Sequence, residues 1–305
     1  MKVAAIDCGT NTTLLLIAEI ENGRIEKVFR DEIVTTRLGQ DVSKTKRLHP
    51  EALARMDECL KRYSEIISCE KPERILCVAT SAARDVSNAS ELFAIGEHYG
   101  IPIHVIEGEI EARMTFDGAT FDRVEKDGLC VIDVGGGSTE IIGSHSGRLA
   151  GKSVNVGSVR LTEMFVTRYP TPQDEVQRLF EYATQKFDAA SDDLPKGPIR
   201  EVIAVAGTPT TLAAVLQNKK YSEHAVHGFK INCATLEDWV YRFAKMDLKT
   251  RMNVTGMDKK RADVIVAGTA VLLAALRALR VDAMTVSVRG VRYGIALQAA
   301  LGGLK

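Results

Sequence analysis

Two short stretches of the chain bring a carboxylate, a glycine turn and hydroxyl side chains together. They are Asp7-Cys8-Gly9-Thr10-Asn11-Thr12 and Asp133-Val134-Gly135-Gly136-Gly137-Ser138. Glycines let backbone N–H groups approach a ligand and point the same way, which makes a small nest for an anion. The hydroxyls of Thr10, Thr12, Ser138 and Thr139 add donors for phosphate oxygens. A carboxylate repels phosphate, so either aspartate needs a bridging cation, and magnesium, with its preference for oxygen, meets that need. One Asp-x-Gly by itself is as readily an ordinary hairpin turn. Two copies in register, one with three consecutive glycines, favour phosphate binding.

Two strand-to-helix turns suit the same chemistry. Gly207-Thr208 follows the apolar run Val202–Ala206 and offers N–H groups at a helix start, a third anion nest. Arg84 follows the run Arg74–Ala79 and the turn Thr80-Ser81-Ala82-Ala83. Its planar fork suits two-bond phosphate contact better than lysine. The competing reading ties Arg84 to its neighbour Asp85. His227 is left out of the chemistry, because a lone histidine is more often structural. Cys8 reads as a small core hydrophobe, as Val134 does in the other copy, and Trp239 as core or interface.

The elements that carry these residues repeat. Val3–Thr13 and Leu129–Thr139 align so that Asp7 maps onto Asp133, Gly9 onto Gly135, Thr12 onto Ser138 and Thr13 onto Thr139. Each copy continues through a second apolar stretch, Leu14–Ile20 or Ile141–Ile142, into a polar turn, Glu21-Asn22-Gly23-Arg24 or Ser144-His145-Ser146-Gly147-Arg148. Both spell the start of a meander. Helical patterns follow at Pro50–Ile67 and Pro172–Phe187, the second with Thr171 as N-cap and Pro172 at the first helical position. Strands at Arg74–Ala79, Ile103–Ile106, Val202–Ala206 and Ala283–Val288 alternate with helices near Ser90–Tyr99, from Leu212, and at Val291–Leu301. That alternation predicts mainly parallel sheets in two copies of one α/β unit. The polar stretch Glu125–Gly128 marks the boundary.

Composition sets outer limits. The length of 305 residues suits two domains, and 45% hydrophobic with 26% charged residues excludes wholesale disorder. Forty basic residues balance forty acidic ones, which argues against a general nucleic-acid binder. The longest apolar run, Val264–Leu276, is too short for a bilayer and predicts a buried helix. Asp7 breaks the N-terminal apolar stretch, so no signal peptide is expected. Six cysteines without a CxxC fit a reducing cytoplasm, with no structural zinc and no disulfides.

A set of motifs running the length of the chain then becomes specific. They are Ala5-Ile6-Asp7-Cys8-Gly9-Thr10-Asn11-Thr12, Ala79-Thr80-Ser81-Ala82-Ala83-Arg84-Asp85, Glu107-Gly108-Glu109-Ile110-Glu111-Ala112-Arg113, Ile132-Asp133-Val134-Gly135-Gly136-Gly137-Ser138-Thr139-Glu140, Val226-His227-Gly228 and Gly290-Val291-Arg292-Tyr293-Gly294. In this order they resemble the family of exopolyphosphatases and guanosine pentaphosphate phosphohydrolases. That family lies in the superfamily of actin, sugar and acetate kinases and heat-shock chaperone ATPases.

The resemblance implies two duplicated ribonuclease H-like α/β domains, 1–124 and 125–305, facing one another across the site, with the final helix able to pack back on the first. It implies Glu111 as the general base that deprotonates the attacking water, and Asp133 and Glu140 as carboxylates for Mg2+. Gly9, Thr10, Asn11, Thr12, Arg84, Gly135, Gly136, Gly137, Ser138, Gly207 and Thr208 would hold phosphate oxygens. Against this, Glu107, Glu109 and Glu111 also read as one solvated helix face, and Glu140 as a surface cross-strand residue. The implied substrate is inorganic polyphosphate, with guanosine pentaphosphate as the alternative. A kinase-like phosphotransferase and a non-catalytic phosphate sensor are the rival classes. A cytoplasmic homodimer with no nucleic-acid or membrane partner is expected.

The chain departs from the family at Arg37-Leu38-Gly39-Gln40-Asp41, where members often have Arg-Leu-Gly-x-Gly. It departs again at Val291-Arg292-Tyr293-Gly294, where many have Leu-Arg-Glu-Gly. The helical C-terminal half of long members is missing, which predicts a preference for short polyphosphate.

Overall fold

The first repeat folds as strands β1 (Lys2–Cys8) and β2 (Thr13–Glu21), paired antiparallel from Lys2↔Glu19 to Cys8↔Thr13. The computed structural model describes residues 1–84 and 86–303. β2 runs into β3 (Arg24–Val34) through Asn22 and Gly23, whose φ angles of 49° and 73° are those of a tight hairpin turn. Helices α1 (Val42–Thr45) and α2 (Pro50–Glu70), strand β4 (Arg74–Ala79), helices α3 (Ser81–Arg84) and α4 (Ala89–His98), strand β5 (Ile103–Val105) and helix α5 (Gly108–Thr120) follow. The sheet order is β3-β2-β1-β4-β5, with β4 and β5 parallel to β1.

The second repeat has β6 (Leu129–Val134), β7 (Thr139–His145) and β8 (Arg148–Val154), with Ser146 and Gly147 at φ 51° and 69° in the second turn. Then come α6 (Ser158–Phe165), α7 (Gln173–Ala189), β9 (Glu201–Val205), α8 (Gly207–Leu216), α9 (Glu223–Val226) and β10 (Lys230–Asn232). They are followed by α10 (Cys233–Lys245), α11 (Leu248–Met252), a 3-10 turn (Lys259–Arg261), α12 (Ile265–Ala278), β11 (Ala283–Val286) and α13 (Val291–Ala300). This sheet runs β10-β11-β9-β6-β7-β8, so its last five strands reproduce the first sheet's order with β10 added at the edge.

By internal contacts the chain divides into unit 1, Met1–Val124 with Gly290 onward, and unit 2, Glu125–Arg289. Alternation along β1 explains how unit 1 is layered. Ala4, Ile6 and Cys8 join Leu15, Ile17, Met56, Leu60 and Tyr63 in one core under α2. Val3 and Ala5 join Leu16, Met114, Ile295 and Ala296 in the other, under α5 and α13. Helix α13 meets α5 at backbone distance: a Cβ on Gly294 would lie 1.8 Å from the Met114 oxygen, and one on Gly118 would lie 2.3 Å from the Gly290 oxygen. In unit 2 the Cys130–Ile132–Val134 face packs on residues of α6, α7, α8 and α12.

Local expectations shift by a few residues. Helix α7 begins at Gln173, because Pro172 has ψ 144° and stands outside the helix while the Thr171 amide bonds the Ala244 oxygen (2.8 Å). The Thr171 hydroxyl has no hydrogen-bond partner among the described residues and caps no helix amide. Helix α8 begins at Gly207 and not at Leu212, since Pro209 fits a first turn whose N–H groups have no intrahelical acceptor. The apolar run at Val264–Leu276 is the buried helix α12, and among the described residues no helix is long and apolar enough to cross a membrane.

Candidate active site

In unit 1 the glycine turn closes through Gly9 N–H donating to the Thr12 oxygen (3.1 Å). Its carbonyls are held from behind, Thr10 O by Gly39 N (2.8 Å) and Asn11 O by Arg37 N (3.0 Å). The Thr10 hydroxyl pairs with that of Ser81 (2.9 Å) and its methyl packs onto Gly39, where a Cβ would come within 2.2 Å. Buried Asn11 keeps its side-chain Nδ2 without a hydrogen-bond partner among the described residues. A buried donor with no acceptor is costly unless something supplies one, and a phosphate oxygen would.

Glu111 lies in the first turn of α5, where the helix N-terminus favours negative charge. It is 8% exposed, whereas Glu107 and Glu109 are exposed. The solvated-face reading therefore holds for those two alone. Arg84 Nη1 donates to Glu111 Oε2 (3.0 Å) and to the Ile106 carbonyl (2.7 Å), which fixes the chain where it enters α5. The pair is largely shielded, with side chains 15% and 10% exposed. Asp85, the other partner considered for Arg84, lies outside the described residues.

In unit 2 the turn closes in the same way, Gly135 N donating to Ser138 O (3.0 Å). Asp133 stands directly opposite Glu140 on the neighbouring strand, and Glu140 stands opposite Ser153 on the next. Directly opposed residues share a face, with Cβ atoms about 5 Å apart. Ser153 donates its hydroxyl proton to Glu140 Oε1 (2.6 Å). Glu140 is only 1% exposed and Asp133 8%, so the surface reading of Glu140 does not hold.

Two buried carboxylates on one face fit a hard cation. Among the described residues no group of three or more His, Cys, Asp or Glu side chains could hold an ion alone. The remaining ligands would be waters or phosphate oxygens, which is how magnesium is usually bound.

The third nest carries a residue that the sequence did not single out. A Cβ on Gly207 would fall 1.8 Å from the Arg261 Cζ, so the guanidinium lies directly on that glycine at the start of α8. Its side chain is 13% exposed, its Nε is 3.5 Å from Asp258, and Asp133 and Asp263 are close enough to favour its charge against the cost of burial. A cation at the positive end of a helix is an arrangement that an anion relieves. Ala206, just before it, has φ 75° and ψ −170°, a strained conformation for a residue with a side chain. Fully buried Arg251 donates to the Ala262 oxygen (2.7 Å) and holds the chain next to Arg261. Thr208 turns its hydroxyl toward Gly268 of α12. Nothing in the Lys259-Lys260-Arg261 run distinguishes Arg261 from its exposed neighbours; only the close approach to Gly207 does.

Cys8 is buried with its Sγ 3.5 Å from that of Cys77, and the hydrogen bond to Cys77 together with burial raises its thiol well above the ordinary value. Trp239 packs on the core beside Phe243. His227 accepts the Val288 N–H through Nδ1 (3.4 Å).

Two sheets of one topology, each opened by a glycine hairpin behind a buried aspartate, define a protein of the actin-like α/β class. Within that class, the model of the Ppx/GppA phosphatase family matches residues 16–302, and the chain belongs to this family. It is similar to Exopolyphosphatase 2 of Mycobacterium tuberculosis, 36% identical over 98% of each chain. Among solved structures it is similar to the Aquifex aeolicus Ppx/GppA family member, with 30% identity, a TM-score of 0.81 and 99% of this chain and 98% of that one covered. It is also similar to an exopolyphosphatase from Cytophaga hutchinsonii, with 25% identity, a TM-score of 0.86 and 100% and 99% covered.

Proposed function

We propose that this protein hydrolyses the terminal phosphoanhydride bond of inorganic polyphosphate, with Glu111 as general base and Asp133 and Glu140 as the carboxylates that hold Mg2+. The observation that carries the reading is Glu111 itself, a shielded carboxylate at a helix start, clamped by an arginine. Arg84 donates to Oε2 and so orients the carboxylate that takes the proton of the attacking water. Arginine keeps its proton at any relevant pH, so it orients the base without competing for that proton.

The amides of Gly9–Thr12 and Gly135–Ser138 bind phosphate oxygens, and Asn11 Nδ2 adds a donor. Gly207 with Arg261 receives a phosphate further from the scissile bond. Magnesium, when bound, offsets phosphate charge. The balanced net charge of +0 offers no excess of cations along which a long polyanion would extend, so short chains are the preferred substrates.

Phosphate release from tripolyphosphate, long polyphosphate, guanosine pentaphosphate and ATP, measured side by side, tests the proposal. Efficient cleavage of tripolyphosphate supports it. Preferential cleavage of guanosine pentaphosphate would move the substrate to the family's other branch, and phosphorylation of an acceptor in place of release would make the protein a kinase.

A further inference from the structure

We propose that helix α6 sets the glycine turn of unit 2 as a phosphate nest, with Gly157 and Arg160 as the positioning residues. The proposal rests on the reading of Gly135–Ser138 as a phosphate turn and assigns a role to residues outside it. Three consecutive carbonyls of that turn are held by the start of α6. Ser158 donates to Gly135 O through its N–H (2.9 Å) and its hydroxyl (3.2 Å). Val159 N and Arg160 N both donate to Gly136 O (2.9 Å each). Among the described residues no helix amide serves Gly137 O; the Arg160 side chain does, through Nε at 2.7 Å.

A trans peptide points its N–H opposite to its C=O. With the carbonyls of residues 135, 136 and 137 held toward α6, the N–H groups of Gly136, Gly137 and Ser138 are turned away from it together. The first amides of a helix have no intrahelical acceptors, and here the turn supplies them. The positive end of α6 is thereby spent on the turn's carbonyls, and it polarises the same peptides so that their outward N–H groups become better donors.

Close approach is what makes this possible. A Cβ on Gly157 would lie 2.4 Å from Gly136 O and 2.6 Å from the Gly137 carbonyl carbon, so any side chain there lifts the helix off the turn. Arg160 acts through the Gly137 carbonyl in this account, and it is a positioning residue.

The test compares wild type with Arg160→Met, which keeps the stem and loses the donor, Gly157→Ala, and Arg178→Met on the exposed side of α7 as control. Steady-state kinetics on tripolyphosphate, inhibition by orthophosphate and hydrogen exchange at residues 136–138 with and without tripolyphosphate are measured at several salt concentrations. Both positioning variants are expected to raise KM and the orthophosphate Ki together, by about tenfold, the worth of one well-made hydrogen bond. The ligand-dependent protection at 136–138 should fall while the control matches wild type.

The slope of log KM against log salt should stay that of wild type. A slope that drops by about one would show that Arg160 pairs with the substrate itself and would overturn the positioning role. Unchanged KM, Ki and protection in folded Arg160→Met and Gly157→Ala would also overturn it. If wild type itself shows no protection at 136–138, the phosphate-turn reading fails and the proposal falls with it.

Discussion

The hairpins led by Asp7 and Asp133 share register and turn closure, and differ in what stands beside the aspartate. Asp7 faces Leu14, and Leu14 faces Ile33; Asp133 faces Glu140, and Glu140 faces Ser153. Unit 1 thus has one carboxylate at the end of an apolar row, where unit 2 has a polar row across three strands. The supports differ as well. A loop holds two carbonyls of the first turn, through Arg37 N and Gly39 N, while the start of a helix holds three of the second. The backbone shape of the turn is common to both copies, and the proposed function divides the chemistry between their side chains. In that proposal unit 2 supplies the carboxylate pair for a cation, and unit 1 the arginine-clamped carboxylate for a proton.

The largest effect should come from removing the proton acceptor. Glu111→Gln keeps the size of the side chain and can still accept from Arg84, but cannot take the water's proton. It should lower kcat by about 10²–10⁴-fold while tripolyphosphate binding persists. Near-normal turnover would take the base away from unit 1 and break the division just drawn.

Next comes the cation. Asp133→Asn and Glu140→Gln should each raise the magnesium concentration for half-maximal activity by about tenfold or more, since loss of charge weakens a hard-ion site. Leu14→Gln, at the matching position of unit 1, should leave that titration in place. Equal shifts from Glu140→Gln and Leu14→Gln would erase the asymmetry between the hairpins.

Arg84→Lys preserves charge but withdraws the fixed Nη1 donor that serves both Ile106 O and Glu111. A fall in kcat/KM of about tenfold is expected, in keeping with one charge-assisted hydrogen bond. Wild-type kinetics would mean that Arg84 does not orient the base. Gly39→Ala should push Thr10 off Ser81 and raise KM by about threefold, the scale of a weakened neutral hydrogen bond. A larger effect than that of Gly157→Ala would mean that the loop, and not the helix, is the stiffer support.

The smallest effect concerns acid. Hydrogen bonding to Lys2 holds the Glu70 carboxyl below its ordinary value in unit 1, and the Thr250 N–H does the same for Asp247 in unit 2. A depressed carboxyl stabilises the fold above its unfolded value of about 4 and loses that contribution as pH falls through the folded one. Hydrogen exchange between pH 5 and 3 should therefore show both units loosening slightly and together. Loosening confined to one of them would show that the two do not share this sensitivity.

Much of this could be read before any coordinates. The alternation in Val3–Cys8 and Leu129–Val134, the paired glycine turns and the Asn22-Gly23 and Ser146-Gly147 hairpins are local signals, because strand period and turn chemistry are properties of adjacent residues. They led to the duplicated α/β unit and to the two glycine turns proposed to hold phosphate. Helix starts were less legible: Pro172 and Pro209 look alike in sequence, yet one stands outside its helix and the other inside, because ψ at that position is set by what the neighbouring chain bonds.

The sequence by itself determined which residue types are present and how they repeat: the aspartates before the glycines, Glu140 after them, and Glu111 in its motif. Tertiary structure decided what each of them meets. Asp133 opposes Glu140 because β6 and β7 pair in that register, and Arg84 reaches Glu111 because β4 and β5 lie side by side. Arg261 rests on Gly207 because no Cβ stands in the way, and Arg160 reaches the Gly137 carbonyl from a helix that begins beyond the meander. Periodicity travels along the chain, whereas burial, ion pairing and carbonyl orientation depend on groups far apart in it. Those the packed fold alone can fix.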